Sequence, residues 1–190
     1  METLYDTIGT HYGNYRRPDP RITVALSAEF GQAASIVNIG AGVGSYEPRD
    51  REFVVAVEPS GLMISQRAKS GPPVVQARAE SLPFRDAAFD VATAILTIHH
   101  WADVERGLLE TRRVARDRVV LLTRSGFGDF WLLDYLSQIR AIEVPLFSSI
   151  EELARLLVLV RVILLPLPHD YTAGFLCAYW RRPQSYLNEG

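Results

Sequence analysis

Residues 35–48 read SIVNIGAGVGSYEP, and the fold turns on how that stretch is taken. After Ser35, Ile36, Val37 and Ile39 are apolar and β-branched around Asn38, the make-up of a short buried strand. Glycines then follow at alternate positions, Gly40, Gly42 and Gly44. Glycine tolerates a left-handed backbone and lets another group come close to the main chain. A glycine-rich turn after a strand predicts a bend that leads into a helix and turns its backbone N–H groups toward a ligand.

Outward from this stretch, short apolar runs alternate with helical spacing. FVVAVE at 53–58, PVVQA at 73–77, FDVATAIL at 89–96 and DRVVLLT at 117–123 read as further strands. The pieces near 60–70 and 102–115 have helical spacing, with Val104 and Leu108 on one face. Strands that are apolar on both faces and separated by helices indicate a parallel sheet covered on both sides. Upstream, Asp19-Pro20 offers an N-cap and a first-turn proline to a helix whose face is Ile22, Leu26 and Phe30. Downstream, Ser148 with Glu151, or Ser149 with Glu152, has capping-box spacing before EELARLL. VRVILLPL then reads as a sixth strand ended by Pro166 and Pro168, and GFLCAYWRRPQSYL is compatible with a helix.

Composition bounds the function. The chain has 190 residues, enough for one sizeable domain, with 48% hydrophobic and 22% charged residues. A net charge of −2 gives no electrostatic reason to expect a nucleic acid or an anionic membrane as partner. Arg16-Arg17, Arg112-Arg113 and Arg181-Arg182 read as helix ends and solvated faces. The lone Cys177 excludes an internal disulfide and a multi-cysteine metal site, and its apolar surroundings predict a buried, inert thiol. The start lacks the basic-then-apolar pattern of a signal peptide. The longest apolar stretch is broken by Arg161 and Pro166 and is too short to span a bilayer. These features predict a cytoplasmic protein.

Glu58 ends the second strand, where a carboxylate can accept hydrogen bonds from both ribose hydroxyls of a nucleoside. The plain alternative is a tight turn and a surface glutamate. The dinucleotide fingerprint G-x-G-x-x-G does not fit, because the sixth position is Ser45 and the third glycine comes early, at Gly44. The only lysine is Lys69, so no phosphate-binding G-K-S/T loop is present.

G-x-G-x-G followed by an acidic strand end resembles the class I methyltransferases that use S-adenosylmethionine (SAM), in particular the type 11-like bacterial small-molecule subgroup. AESLPFRDAAFDVATAILTIHHW at 79–101, YDTIGTHYGNYRRPDPRI at the start and PLPHDYTAGFLCAYWRRPQSYL near the end resemble that subgroup as well, so the likeness covers most of the chain. The resemblance implies a Rossmann-like α/β fold, a three-layer αβα sandwich on a mostly parallel sheet, in a single domain. Residues 1–34 would be an N-terminal helical cap, 35–124 the SAM-binding core, and 125–190 the acceptor side and C-terminal part.

The resemblance also implies roles. Gly40, Ala41, Gly42 and Gly44 would make room for the methionine part and ribose of SAM, and Glu58 would hold the ribose hydroxyls. Pro59 to Met63 would flank the adenine, with Met63 a soft apolar surface. Ala79 and Glu80 stand where the family reads the adenine edge. The family often has an aspartate just before that alanine. This chain has Arg78, which leaves adenine recognition to backbone groups or Glu80. Tyr12 and Arg17 belong to the segment that folds over the cofactor in this family. Arg17 would pair with the SAM carboxylate, and solvated surface is its alternative. His99 and His100 are candidates for taking a proton from the methyl acceptor, and packing on Trp101 is theirs. His169 and Asp170, with Phe127, Trp131 and Tyr135, would border the acceptor, or serve as ordinary surface and core.

The acceptor expected from this reading is a small molecule, with no metal involved. A full class I sheet has seven strands, the last inserted between the fifth and sixth, and the sequence supplies six. The unfilled position predicts either direct pairing of strands five and six or an exposed edge through which two copies could pair. A non-catalytic SAM-binding protein is the alternative function, and a nicotinamide oxidoreductase a more distant one.

Overall fold

The computed structural model describes residues 6, 17–124, 130–135, 138, 141, 148–158, 161–172, 174 and 176–187. Helix α1 (Pro20–Phe30) begins where Asp19 accepts a hydrogen bond from the Arg21 N–H, buries Ile22, Leu26 and Phe30, and stops at Gly31, where φ is +58°. Strands β1 (Ser35–Ile39), β2 (Phe53–Val57), β3 (Val74–Val75), β4 (Phe89–Ile95) and β5 (Ala115–Leu122) form one sheet in the order β3-β2-β1-β4-β5. All four pairings are parallel. Helices α2 (Gly61–Ser65), α3 (Val104–Val114), α4 (Leu132–Tyr135) and α5 (Ile150–Leu157) complete the regular structure, with short 3-10 turns at Ile98–His100, Leu176–Tyr179 and Pro183–Leu187.

Alternation along the strands divides the core between two faces. Val37, Ile39, Val55, Val57 and Ala92 pack with Leu82, Phe89 and Val114. Ile36 and Val91 face the other way, onto α1, Tyr171 and Ala178. A third cluster of Ala94, Ile98, Leu108 and Leu153 seats α3 and α5. The α5 start has the predicted capping box, with Ser149 and Glu152 each bonding the other's backbone N–H. No helix among the described residues is long and apolar enough to cross a membrane.

Four expectations need correction. Residues 41–52, between β1 and β2, are turns and bends with no helix. PVVQA shrinks to a two-residue strand, and Pro73 contributes only its carbonyl, to the Ala56 N–H. The stretch read as a sixth strand has no ladder, since residues 161–168 carry no regular structure. Pro166 and Pro168 lack the N–H a ladder needs. Leu165 and Leu167 instead pack into the α1-side cluster, Arg161 pairs with Glu29 of α1, and Val162, Ile163 and Leu164 stay exposed. The late stretch compatible with a helix forms two 3-10 turns, the second of which begins at Pro183.

Because the strands are parallel, Gly40 after β1, Glu58 after β2 and the His99-His100 turn after β4 all lie at the same end of the sheet. That end is where open α/β sheets bind ligands.

Candidate functional site

The bend after β1 is built from left-handed glycines, with φ of +68° at Gly40, +54° at Gly42 and +89° at Gly44. Three of its N–H groups are turned inward, onto the protein's own acceptors. The Ala41 N–H bonds the Val57 carbonyl at 3.0 Å, Gly44 bonds Ala41 at 2.9 Å, and Gly42 donates to Glu58 Oε2 at 2.8 Å. Each glycine also makes room for one of the protein's own side chains. A Cβ at Gly40 would run into the Thr97 hydroxyl, one at Gly42 would stand 3.3 Å from the Met63 methyl, and one at Gly44 would stand 2.7 Å from Glu47 Oε2.

Glu58 is buried at 5% exposure, yet its carboxylate lies against the bend. Oε1 accepts the Ser60 N–H at 2.9 Å and Oε2 the Gly42 N–H at 2.8 Å. Each oxygen has a second lone pair, so the group keeps capacity for two more donors. Burial pushes its pKa up, while the two N–H bonds pull the other way. Asn38, near the end of β1, is also buried, and its side-chain oxygen has no donor among the described residues. At the carboxyl ends of β1 and β2, a buried carboxylate and a buried amide oxygen thus stand beside three N–H groups that are already bonded.

Around them, Met63 is buried, and the Pro59 carbonyl accepts from Gln76 Nε2 at 3.0 Å. Ser60 caps α2 through its hydroxyl oxygen and donates its O–H to Asp6 at 2.6 Å, which places the Asp6 carboxylate beside the end of β2. Ala79 is buried in the core. Glu80 Oε1 accepts the N–H groups of Ala102 at 2.8 Å and Asp103 at 3.2 Å, so this carboxylate orders the approach to α3. Arg17 is exposed, and Tyr12 lies outside the described residues.

The His99 and His100 rings stand 3.9 Å apart at 50°, His99 half-buried and His100 exposed. Thr97, wedged at Gly40, precedes their turn, whose His100 N–H bonds the Thr97 carbonyl at 2.8 Å. His169 is exposed, and Asp170 accepts from Arg21 at 2.8 Å. Trp131 donates its ring N–H to the Trp180 carbonyl, and Tyr135 is exposed. Phe127 lies outside the described residues. Cys177 is buried, with the Arg124 guanidinium donating to its sulfur at 3.3 Å.

Sequence reading missed Asp6, Glu47 and Arg67. No local pattern marks them, because their partners lie far away along the chain.

The family model described as a methyltransferase domain matches residues 37–123. Among solved structures, the chain is similar to a protein of Anabaena variabilis provisionally named a methyltransferase from an antibiotic biosynthesis pathway. The two are 33% identical with a TM-score of 0.83, over 92% of this chain and 76% of that one. A SAM-dependent methyltransferase of Thermotoga maritima, described as a possible histamine N-methyltransferase, is 26% identical with a TM-score of 0.63, over 81% and 77% of the two chains. The uncharacterized methyltransferase YcgJ of Bacillus subtilis is 26% identical over 122 residues, 58% of this chain and 48% of its own length. The chain therefore spans about half of that relative's length.

Proposed function

This chain belongs to the class I SAM-dependent methyltransferase family, and on that premise we propose that it binds SAM against the Gly40–Gly44 bend and transfers its methyl group to a small organic acceptor. The observation that carries this reading is the polarity of the site. Pyrophosphate binding calls for backbone N–H groups aimed at the ligand. Here those of Ala41, Gly42 and Gly44 are spent internally, and a buried carboxylate and an amide oxygen offer acceptors. Such a donor-poor site suits a cationic nucleoside with two ribose hydroxyls and disfavours a dinucleotide.

When bound, SAM supplies a methyl group activated by its sulfonium. The chain's own part is to hold, orient and exclude water. Glu58 takes the ribose hydroxyls on its two remaining lone pairs. Pro59 and Met63 offer apolar contact to the base. With Glu80 Oε1 taken by the N–H groups of Ala102 and Asp103, the adenine edge falls to backbone groups near Ala79 or to Glu80 Oε2. His99, the more buried of the pair, is the better placed to take a proton from an acceptor hydroxyl or amine.

The test has two parts. Calorimetry on the unaltered chain should detect SAM and S-adenosylhomocysteine (SAH) and no NAD. A screen of hydroxyl, amine and carboxyl acceptors should then release SAH. Tight SAM binding without turnover on any acceptor or cell extract supports a binding protein instead, and NAD binding sinks the reading.

A further inference from the structure

Turns follow the glycine bend where a helix was expected. The backing that a helix's first turn would give such a loop must come from elsewhere. Two charged side chains stand there, Arg67 and Glu47, only 6% and 4% exposed. Arg67 lies just beyond α2. Its Nη1 donates to the Gly42 carbonyl at 2.8 Å and its Nη2 to Glu47 Oε1 at 2.5 Å. Gly42 is therefore gripped from both sides, its N–H by Glu58 and its carbonyl by Arg67. The third glycine finds its explanation here too, since a side chain at Gly44 would collide with Glu47 Oε2.

Stability alone is a poor reason for this arrangement. A buried ion pair is often no more stabilising than an apolar pair of equal volume, because both charges must leave water. An apolar pair, however, cannot donate a hydrogen bond to the Gly42 carbonyl. Nor can lysine readily serve both acceptors, because only the planar guanidinium holds two donors in a fixed fork.

We propose that Arg67 and Glu47 are positioning residues for the cofactor loop: Glu47 fixes the guanidinium, the guanidinium fixes Gly42, and the bend is held ready for SAM. The proposal rests on the functional reading above. The stretch from Glu58 to Arg67 acts as one clamp with a jaw at each end.

The test uses the full chain and three variants: Arg67→Lys, Arg67→Met and the double variant Glu47→Met/Arg67→Met. Thermal unfolding, SAH binding by calorimetry and amide hydrogen exchange of the ligand-free chain are measured on each. Arg67→Met should lose much of its stability, because it strands a buried carboxylate, and the double variant should regain most of it. SAH affinity should stay about tenfold or more weaker in the double variant, since a hydrogen bond from a charged donor is gone. Exchange at residues 42–45 should quicken in the double variant while β1 and β4 keep their protection. Arg67→Lys should fold normally and bind SAH several-fold more weakly. A double variant that is stable and binds SAH like the unaltered chain, or whose loop exchanges no faster, overturns the positioning role and leaves the SAM reading intact. Failure of the unaltered chain to bind SAM or SAH overturns the functional reading, and the positioning role with it.

Discussion

The carboxyl ends of β1 and β2 and the segment from Leu165 to Leu187 flank the same sheet but are held by different means. The first region continues backbone ladders, and its special groups are buried within a few residues of a strand end. The second has no ladder among its described residues. Its backbone is pinned by side chains reaching carbonyls: Tyr171 Oη to Pro166, Trp180 Nε1 to Leu167, Arg182 to Tyr171 and Ala178, and Trp131 to Trp180. Asp19, wholly buried, is its main anchor. It caps α1, takes three hydrogen bonds from Arg21, and accepts the backbone N–H of Thr172 at 3.1 Å. Arg21 lies over the Tyr171 ring and reaches Asp170. The two stretches that resembled the subgroup at opposite ends of the chain thus clasp each other. The first region carries the acceptors on which the proposed function rests, and the second closes the fold.

Substitutions should separate the two roles. The largest effect is expected from Glu58→Ala, which should weaken SAH about 100-fold by calorimetry while far-UV circular dichroism stays native. Unchanged affinity would erase the contrast. Asp19→Ala should act the other way, lowering stability in urea by roughly 2–4 kcal/mol through the lost cap and clasp. SAH affinity should move by less than about threefold, given that Asp19 makes no contact with the bend.

Acid should divide them too. Arg21 and the N–H bonds hold the Asp19 carboxyl below its ordinary 3.8, so its contribution is present above that value and fades as pH falls below it. Glu58 is displaced upward from 4.5, so its contribution to stability weakens as pH rises through the raised value. SAH needs the ionised carboxylate and should bind more weakly as pH falls through the same window. Urea midpoints and calorimetry between roughly pH 3 and pH 7 would check both signs. Trp131→Phe removes one buried N–H bond and should cost about 1 kcal/mol. Leu164→Ser should change stability by less than about 0.5 kcal/mol, and a larger loss would mean that this segment is covered after all.

The same contrast explains what could be read in advance. Strands β1, β2 and β4, the glycine bend and the place of Glu58 at a strand end follow from local pattern, and the Ser149–Glu152 box from local spacing. VRVILLPL has a strand's composition, yet its prolines and its packing on α1 override propensity. That packing depends on Glu29, far earlier in the chain. Likewise, Arg67 and Glu47 look like solvated surface until the fold brings them under Gly42, and the hold of Glu80 Oε1 on the N–H groups before α3 has no local signature either. Pattern reveals what neighbours in sequence decide; side chains paired across the fold escape it.

Thr97 occupies the space that Gly40 leaves empty, and the histidine turn begins at Thr97. Loop and turn are therefore keyed like tongue and notch, and neither can shift without moving the other. A bulkier residue at position 40 would push on Thr97, and through it on the His99-His100 turn as well as on the glycine bend, because a single joint holds both.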